Sequence, residues 1–149
     1  MKIAIACDHA GFALKETVIQ TVKQLGHEII DCGTDSGVEK VDAPDFAAKA
    51  ASLLAGKQAD RAILICGSGI AMCLTANKVR GVYASVCHDA YSARQGVEHD
   101  NMNALCLGAR VIGTAVVPIL VKEFLDARYF NNGNYKRRVE KILSLEKNF

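Results

Sequence analysis

The chain reads as an α/β protein: one doubly wound domain over residues 1–149, built on a parallel sheet and ending in a helical arm. Three observations predict it. Short apolar runs alternate with stretches of helical periodicity five times along the chain. The runs are apolar at consecutive positions, as strands buried on both faces are. Polar and glycine residues gather just after the runs, where an open parallel sheet binds its ligands.

Taken in order, residues 3–7 form the first strand. Leu14, Val18, Val22 and Leu25 then fall at helical spacing over residues 12–25, and Gly26 ends that helix. Residues 28–32 give the second strand and 34–41 a polar loop containing Gly37. Pro44 suits the first turn of a helix over 45–55, whose Ala47, Ala50, Ala51 and Leu54 share a face. Strands follow at 62–66, 82–87 and 104–107, each trailed by a helix, at 70–78, 89–97 and 114–127. A charged helix over 135–147 closes the chain. Asn131-Asn132-Gly133-Asn134 is the only linker-like stretch, so residues 1–149 are expected to form a single domain.

Composition removes several classes of function. A net charge of +2 gives no electrostatic reason to expect a nucleic-acid partner. No run approaches the ~18 apolar residues of a membrane helix. The amino-terminal run stops at Asp8 and reads as a strand rather than a signal peptide, so a cytoplasmic protein is expected. The six cysteines contain no Cys-x-x-Cys pair, which argues against structural zinc, and a reducing compartment argues against a disulfide framework. Most are expected to be small buried hydrophobes.

Cys66 is the exception. In Ile63-Leu64-Ile65-Cys66-Gly67-Ser68-Gly69-Ile70-Ala71 a buried strand ends at a thiol, turns through two glycines and opens a helix. Such a turn points backbone N–H groups at one place, stabilises a negatively charged oxygen and favours the thiolate. A thiolate beside an anion cradle suits nucleophilic attack or proton abstraction; the same segment also fits a tight turn around a buried cysteine. A cysteine-dependent phosphatase loop would carry Arg where Met72 stands. No Gly-Lys-Ser/Thr phosphate loop exists, and the dinucleotide fingerprint lacks its third glycine. His9, after the first strand, and His99, in a polar cluster before the fifth, are both expected in loops at the carboxyl ends of strands. Arg110 follows the fifth strand.

Cys7-Asp8-His9-Ala10-Gly11, Asp42-Ala43-Pro44-Asp45, Ile65-Cys66-Gly67-Ser68-Gly69, Ala76-Asn77-Lys78, Tyr91-Ser92-Ala93 and Gly108-Ala109-Arg110-Val111-Ile112-Gly113 occur in that order. With them the chain resembles the B-type ribose-5-phosphate isomerases and their relatives acting on 6-phospho-hexoses, from Met1 to the terminal helix. The resemblance implies a three-layer α/β/α sandwich on five parallel strands. It also implies a homodimer, or a dimer of dimers, with the active site at the subunit interface. The reaction it implies is aldose–ketose isomerisation of a sugar phosphate, with neither metal nor cofactor. Cys66 would move the proton between C1 and C2, and the amides of Gly67, Gly69, Ile70 and Ala71 would hold the enediolate. Ser68 would stand near the reacting oxygens. His99 would open the furanose ring, Asp8 would contact sugar hydroxyls, and Asp100 and Asn101 would follow His99 against the substrate. His9, Arg110 and Arg138 would hold the phosphate.

Several positions depart from that pattern. Ala43 stands where the family usually has Tyr, Asp100 where it has Asn, and Ala71 where it has Gly. Asn134 stands where a phosphate-binding Arg is usual; Asn134 and Arg138 are spaced i, i+4, and Lys136 or Arg137 lies nearby to restore the charge. Ala71 is tolerable only in a right-handed conformation. The expected activity is interconversion of ribose 5-phosphate and ribulose 5-phosphate. The alternatives are isomerisation of a 6-phospho-hexose, such as allose or galactose 6-phosphate, and a domain that binds a sugar phosphate without converting it.

Overall fold

Three largely apolar strands set the centre of the fold. In the computed structural model, which describes residues 1–146, β1 (Lys2–Cys7), β3 (Arg61–Cys66) and β5 (Ala104–Gly108) lie side by side and are buried along nearly their whole length. β2 (Glu28–Asp31) and β4 (Ala84–Val86) close the edges, giving a parallel sheet in the order β2-β1-β3-β5-β4. One face carries α1 (Phe12–Gln24), α4 (Ala90–Asp100) and α5 (Val117–Asp126), which pack around Val18, Leu107, Leu120 and Phe124. The other carries α2 (Ala43–Ala55) and α3 (Ile70–Ala76), an alanine-rich layer that lets the helices approach the sheet closely. The three layers are those the sequence predicts. α6 (Gly133–Glu146) rests outside them with only Val139 buried.

The order of the strands places the site. α1 leaves β1 over one face and α3 leaves β3 over the other, so a crevice opens between the carboxyl ends of these neighbouring strands. Cys7-Asp8 and Cys66-Gly67 sit at its two lips.

Several elements differ in extent from the sequence reading: α2 begins two residues earlier than expected and α3 ends two earlier, and four further differences bear on the site. β4 pairs only at Ala84–Val86 because its outer edge has no strand partner. There the Asn77 side chain takes a strand's place: Ala84 N–H donates to Asn77 Oδ1 and Asn77 Nδ2 donates to the Ala84 carbonyl, both at 2.8 Å. α4 runs three residues past Val97, to Asp100, where Asn101 closes it in the left-handed region at φ 56°. The apolar stretch from Thr114 breaks into a 3-10 turn, Thr114–Val116, and then α5, because Pro118 lacks the N–H an interior position needs. α6 begins at Gly133, two residues before the expected start; the expected end at Lys147 lies outside the described residues.

Two buried cations fasten the layers. Arg61, at the amino end of β3, donates to the carbonyls of Phe124 and Ala127 and so closes α5. Lys15 donates to the Thr34 carbonyl at 2.9 Å and pairs with Asp31 at 2.8 Å, holding the loop after β2 against α1.

Candidate active site

β3 delivers Cys66 to the crevice as a buried residue, 4% exposed. The chain then turns through Gly69, whose φ of +83° leaves room for no ordinary side chain. That turn brings the Gly69 N–H to 3.1 Å from the Cys66 sulfur, which accepts it. Ile70 N–H donates to Ser68 Oγ at 3.2 Å. Two amides of the loop are thus engaged within it, one on the Cys66 sulfur. Ala71 lies in the first turn of α3 with right-handed backbone.

β5 braces this loop. Ala109 N–H donates to the Cys66 carbonyl at 2.8 Å and Arg110 N–H to the Gly67 carbonyl at 3.0 Å. A Cβ added at Gly108 would lie 2.8 Å from the Ser68 carbonyl, so the two segments touch backbone to backbone. The Arg110 guanidinium lies over Gly67: a Cβ there would meet it at 3.5 Å. Gly108 N–H, at the end of β5, donates to the ring Nε2 of His88, which lies just past the end of β4, at 2.9 Å. His88 carried no role in the sequence reading, although its place in Cys87-His88-Asp89 after a strand was the available signal.

β1 supplies the facing lip. Asp8 is 7% exposed, and its Oδ1 accepts the Gly11 N–H at 2.8 Å, which fixes the carboxylate at the start of α1. His9 Nδ1 sits 3.2 Å from the Val41 carbonyl oxygen and 3.3 Å from the Val41 amide, so the loop before α2 orients the ring. Asp8, His9, Ala43, Cys66, Ser68 and Arg110 line a cleft of about 440 Å³.

His99 is elsewhere, contrary to the expectation of a carboxyl-end loop. It occupies the last turn of α4, and a helix that leaves the carboxyl end of β4 finishes near the amino end of β5. Asp100 and Asn101 follow it there. α6 brings Asn134 and Arg138 to the same region, because Tyr135 stacks on the His99 ring at 4.4 Å between centroids, with Phe130 tilted at 5.8 Å. One chain therefore groups Asp8, His9, Cys66, Gly67, Ser68, Gly69, Ile70, Ala71 and Arg110 at one end of the sheet. It groups His99, Asp100, Asn101, Asn134 and Arg138 at the other. The polarity of Glu98-His99-Asp100 hid the helix, and with it the end of the sheet on which His99 lies. Gln95, one turn before His99, also escaped notice; its Nε2 lies 2.8 Å from His99 Nδ1. The i, i+4 spacing was the signal.

The remaining cysteines divide by environment. Burial pushes the Cys7 and Cys32 thiols up to about 11, and raises Cys87. A hydrogen bond to Cys73, together with burial, holds Cys106 well above the ordinary thiol range. Cys73 goes the other way, down to about 7, because it accepts hydrogen bonds from Cys106 and Asn77. No group of three or more His, Cys, Asp or Glu side chains among the described residues is arranged to hold a metal. No helix among them is long and apolar enough to cross a membrane.

Comparison with known proteins agrees with this architecture. The profile of the ribose/galactose isomerase family matches residues 3–142. Ribose-5-phosphate isomerase B of Escherichia coli strain K12 is 40% identical over 97% of this chain and 96% of its own. The D-erythrulose-4-phosphate isomerase of Pectobacterium atrosepticum is 39% identical over 95% and 93%. The solved structure of Clostridium thermocellum ribose-5-phosphate isomerase B superposes with a TM-score of 0.95 at 41% identity, covering 99% of each chain. The chain belongs to the ribose/galactose isomerase family and is an isomerase.

Proposed function

We propose that this isomerase interconverts ribose 5-phosphate and ribulose 5-phosphate through an enediolate, with Cys66 as the base. The observation that carries the proposal is the Cys66 sulfur at the strand end, accepting the Gly69 amide beside a glycine turn and Arg110. A proton alpha to a carbonyl is weakly acidic, so its removal needs a matched base and stabilisation of the oxygen that becomes negative. The thiolate takes the proton from C2 of the open aldose, and the electrons of that bond form the C1–C2 double bond. The thiol returns the proton to C1 while the hydroxyl proton passes from O2 to O1. The loop over residues 67–71 faces the developing oxyanion, with Ser68 beside it. Asp8 takes the sugar hydroxyls, and His9 and Arg110 hold the phosphate. Phosphate binding far from C1 and C2 contributes to the chemical step by fixing geometry.

The second half of the site comes from a second copy of the chain. Within one chain His99, Asp100, Asn101, Asn134 and Arg138 lie at the far end of the sheet from Cys66. Ile70 and Leu74, 56% and 63% exposed on α3 directly after the amide loop, supply an apolar face for that contact. In the homodimer, or dimer of dimers, His99 of one copy serves the furanose ring bound at the Cys66 of the other. Opening that ring breaks the C1–O4 bond, O4 gains a proton and the anomeric hydroxyl gives one up; His99 serves the O4 side. The six free thiols fit a reducing, cytoplasmic setting.

Ala43 at the cleft wall favours a second reading, a larger 6-phospho-hexose substrate, because a small side chain stands where the family usually places Tyr. Comparing kcat/KM for ribose 5-phosphate, allose 6-phosphate, galactose 6-phosphate and the four-carbon erythrulose 4-phosphate decides the matter. The proposal expects ribose 5-phosphate to lead. A lead of tenfold or more for another sugar would replace it.

A further inference from the structure

We infer that Gln95, oriented by Asp100, fixes His99 in the neutral tautomer that carries its proton on Nε2, and is thereby a positioning residue for ring opening. The inference rests on the reading of His99 as the residue that serves the furanose ring.

Gln95 Nε2 lies 2.8 Å from His99 Nδ1 and 3.3 Å from Asp100 Oδ2. A carboxylate only accepts hydrogen bonds, so the end of the Gln95 amide that faces Asp100 is its NH2 group. The same nitrogen faces His99, and its second N–H points at Nδ1. Nδ1 must then offer a lone pair, and the proton of the neutral ring sits on Nε2. Without Asp100 the amide could turn over and present its oxygen, which would draw the proton to Nδ1 instead. Asn at position 100 could meet Gln95 with either end; Asp cannot. The departure from the family at Asp100 therefore acts through Gln95 rather than directly on substrate.

The rest of the surroundings hold the ring in plane. Tyr135 stacks on it with an interplanar angle of 29°, and Phe130 meets it at 48°. Phe130 is itself tied to α4, since its N–H donates to the Glu98 carbonyl at 3.0 Å. Nε2 makes no hydrogen bond among the described residues, so its proton is available to a ligand. An imidazole presented in this way donates to the ring oxygen O4 as the C1–O4 bond lengthens. It does not offer the lone pair needed to take the anomeric proton.

The test combines a spectroscopic and a kinetic reading on the full-length protein. With 15N-labelled histidine, the wild type is expected to show His99 Nδ1 as the unprotonated nitrogen and Nε2 as the protonated one. Gln95→Glu, which can only accept, is expected to invert that assignment, and Gln95→Leu to leave a mixture. Turnover of ribose 5-phosphate, which must be opened, falls about tenfold in both variants, the worth of one hydrogen bond. Solvent deuterium exchange at C1 of ribulose 5-phosphate, a ketose that forms no furanose ring, stays at the wild-type rate. A wild-type His99 protonated on Nδ1, or an unchanged tautomer in Gln95→Glu, overturns the inference. His99→Gln tests the underlying reading separately. Full ribose 5-phosphate turnover in that variant would remove the ring-opening role, whatever the spectra show.

Discussion

The Gly69 amide donates to the Cys66 sulfur at 3.1 Å, within a turn that Gly69 takes at φ +83°. The contact joins the backbone geometry of a βα turn directly to the atom proposed to move the substrate proton. A Cβ at position 69 would also lie 3.2 Å from the Leu107 carbonyl carbon. Gly69→Ala is therefore expected to cost about 1–2 kcal/mol from the left-handed backbone alone. Activity should fall further than that loss of stability explains, because the donor to sulfur moves. Urea unfolding beside steady-state kinetics checks this; wild-type kcat in a destabilised variant would separate the turn from the chemistry.

Cys73 should be alkylated before Cys7 and Cys32. The thiolate is the nucleophile, so reaction with iodoacetamide should rise with pH through a midpoint at about 7. Cys7 and Cys32, at about 11, should stay unmodified across that range. Peptide mass spectrometry over a pH series reads both. Cys73→Ser should abolish the early event without changing the lag of the buried thiols.

Arg61→Met should destabilise the fold and spare catalysis. It removes the donors to Phe124 and Ala127, leaving two buried carbonyls short of a partner at about 1–3 kcal/mol each. Each kcal/mol should lower Tm by roughly 2–4 °C in a chain of this size. Residue 61 begins the strand that ends at Cys66, so the cleft lies at the other end of the sheet. Calorimetry with kinetics below the transition tests the separation; a loss of kcat matching the loss of stability would contradict it.

The sheet, its layers and the Cys66 turn were legible because each is written in local sequence: consecutive apolar residues for buried strands, and Cys-Gly-Ser-Gly for the turn. What escaped was set by partners distant in sequence. Val82 and Tyr83 look like strand, yet Tyr83 N–H donates to the Asn103 side-chain Oδ1 at 2.8 Å and β4 begins only at Ala84. Arg61 reads as a surface charge until α5 arrives over it. His99 was placed in a loop because Glu98-His99-Asp100 is polar, whereas an amphipathic helix near its end presents such residues to solvent and stops at a left-handed Asn. That extra turn puts His99, Asp100 and Asn101 at the far end of the sheet, a change in function rather than in detail.

Whether Cys66 carries the proton is read from solvent deuterium exchange at C1 of ribulose 5-phosphate in Cys66→Ala. Ketose exchange needs no ring opening, so it isolates the base. The rate is expected to fall by roughly 10²–10⁴, with the protein still folded and still stabilised by ribulose 5-phosphate in a thermal shift. Exchange at the wild-type rate would contradict it.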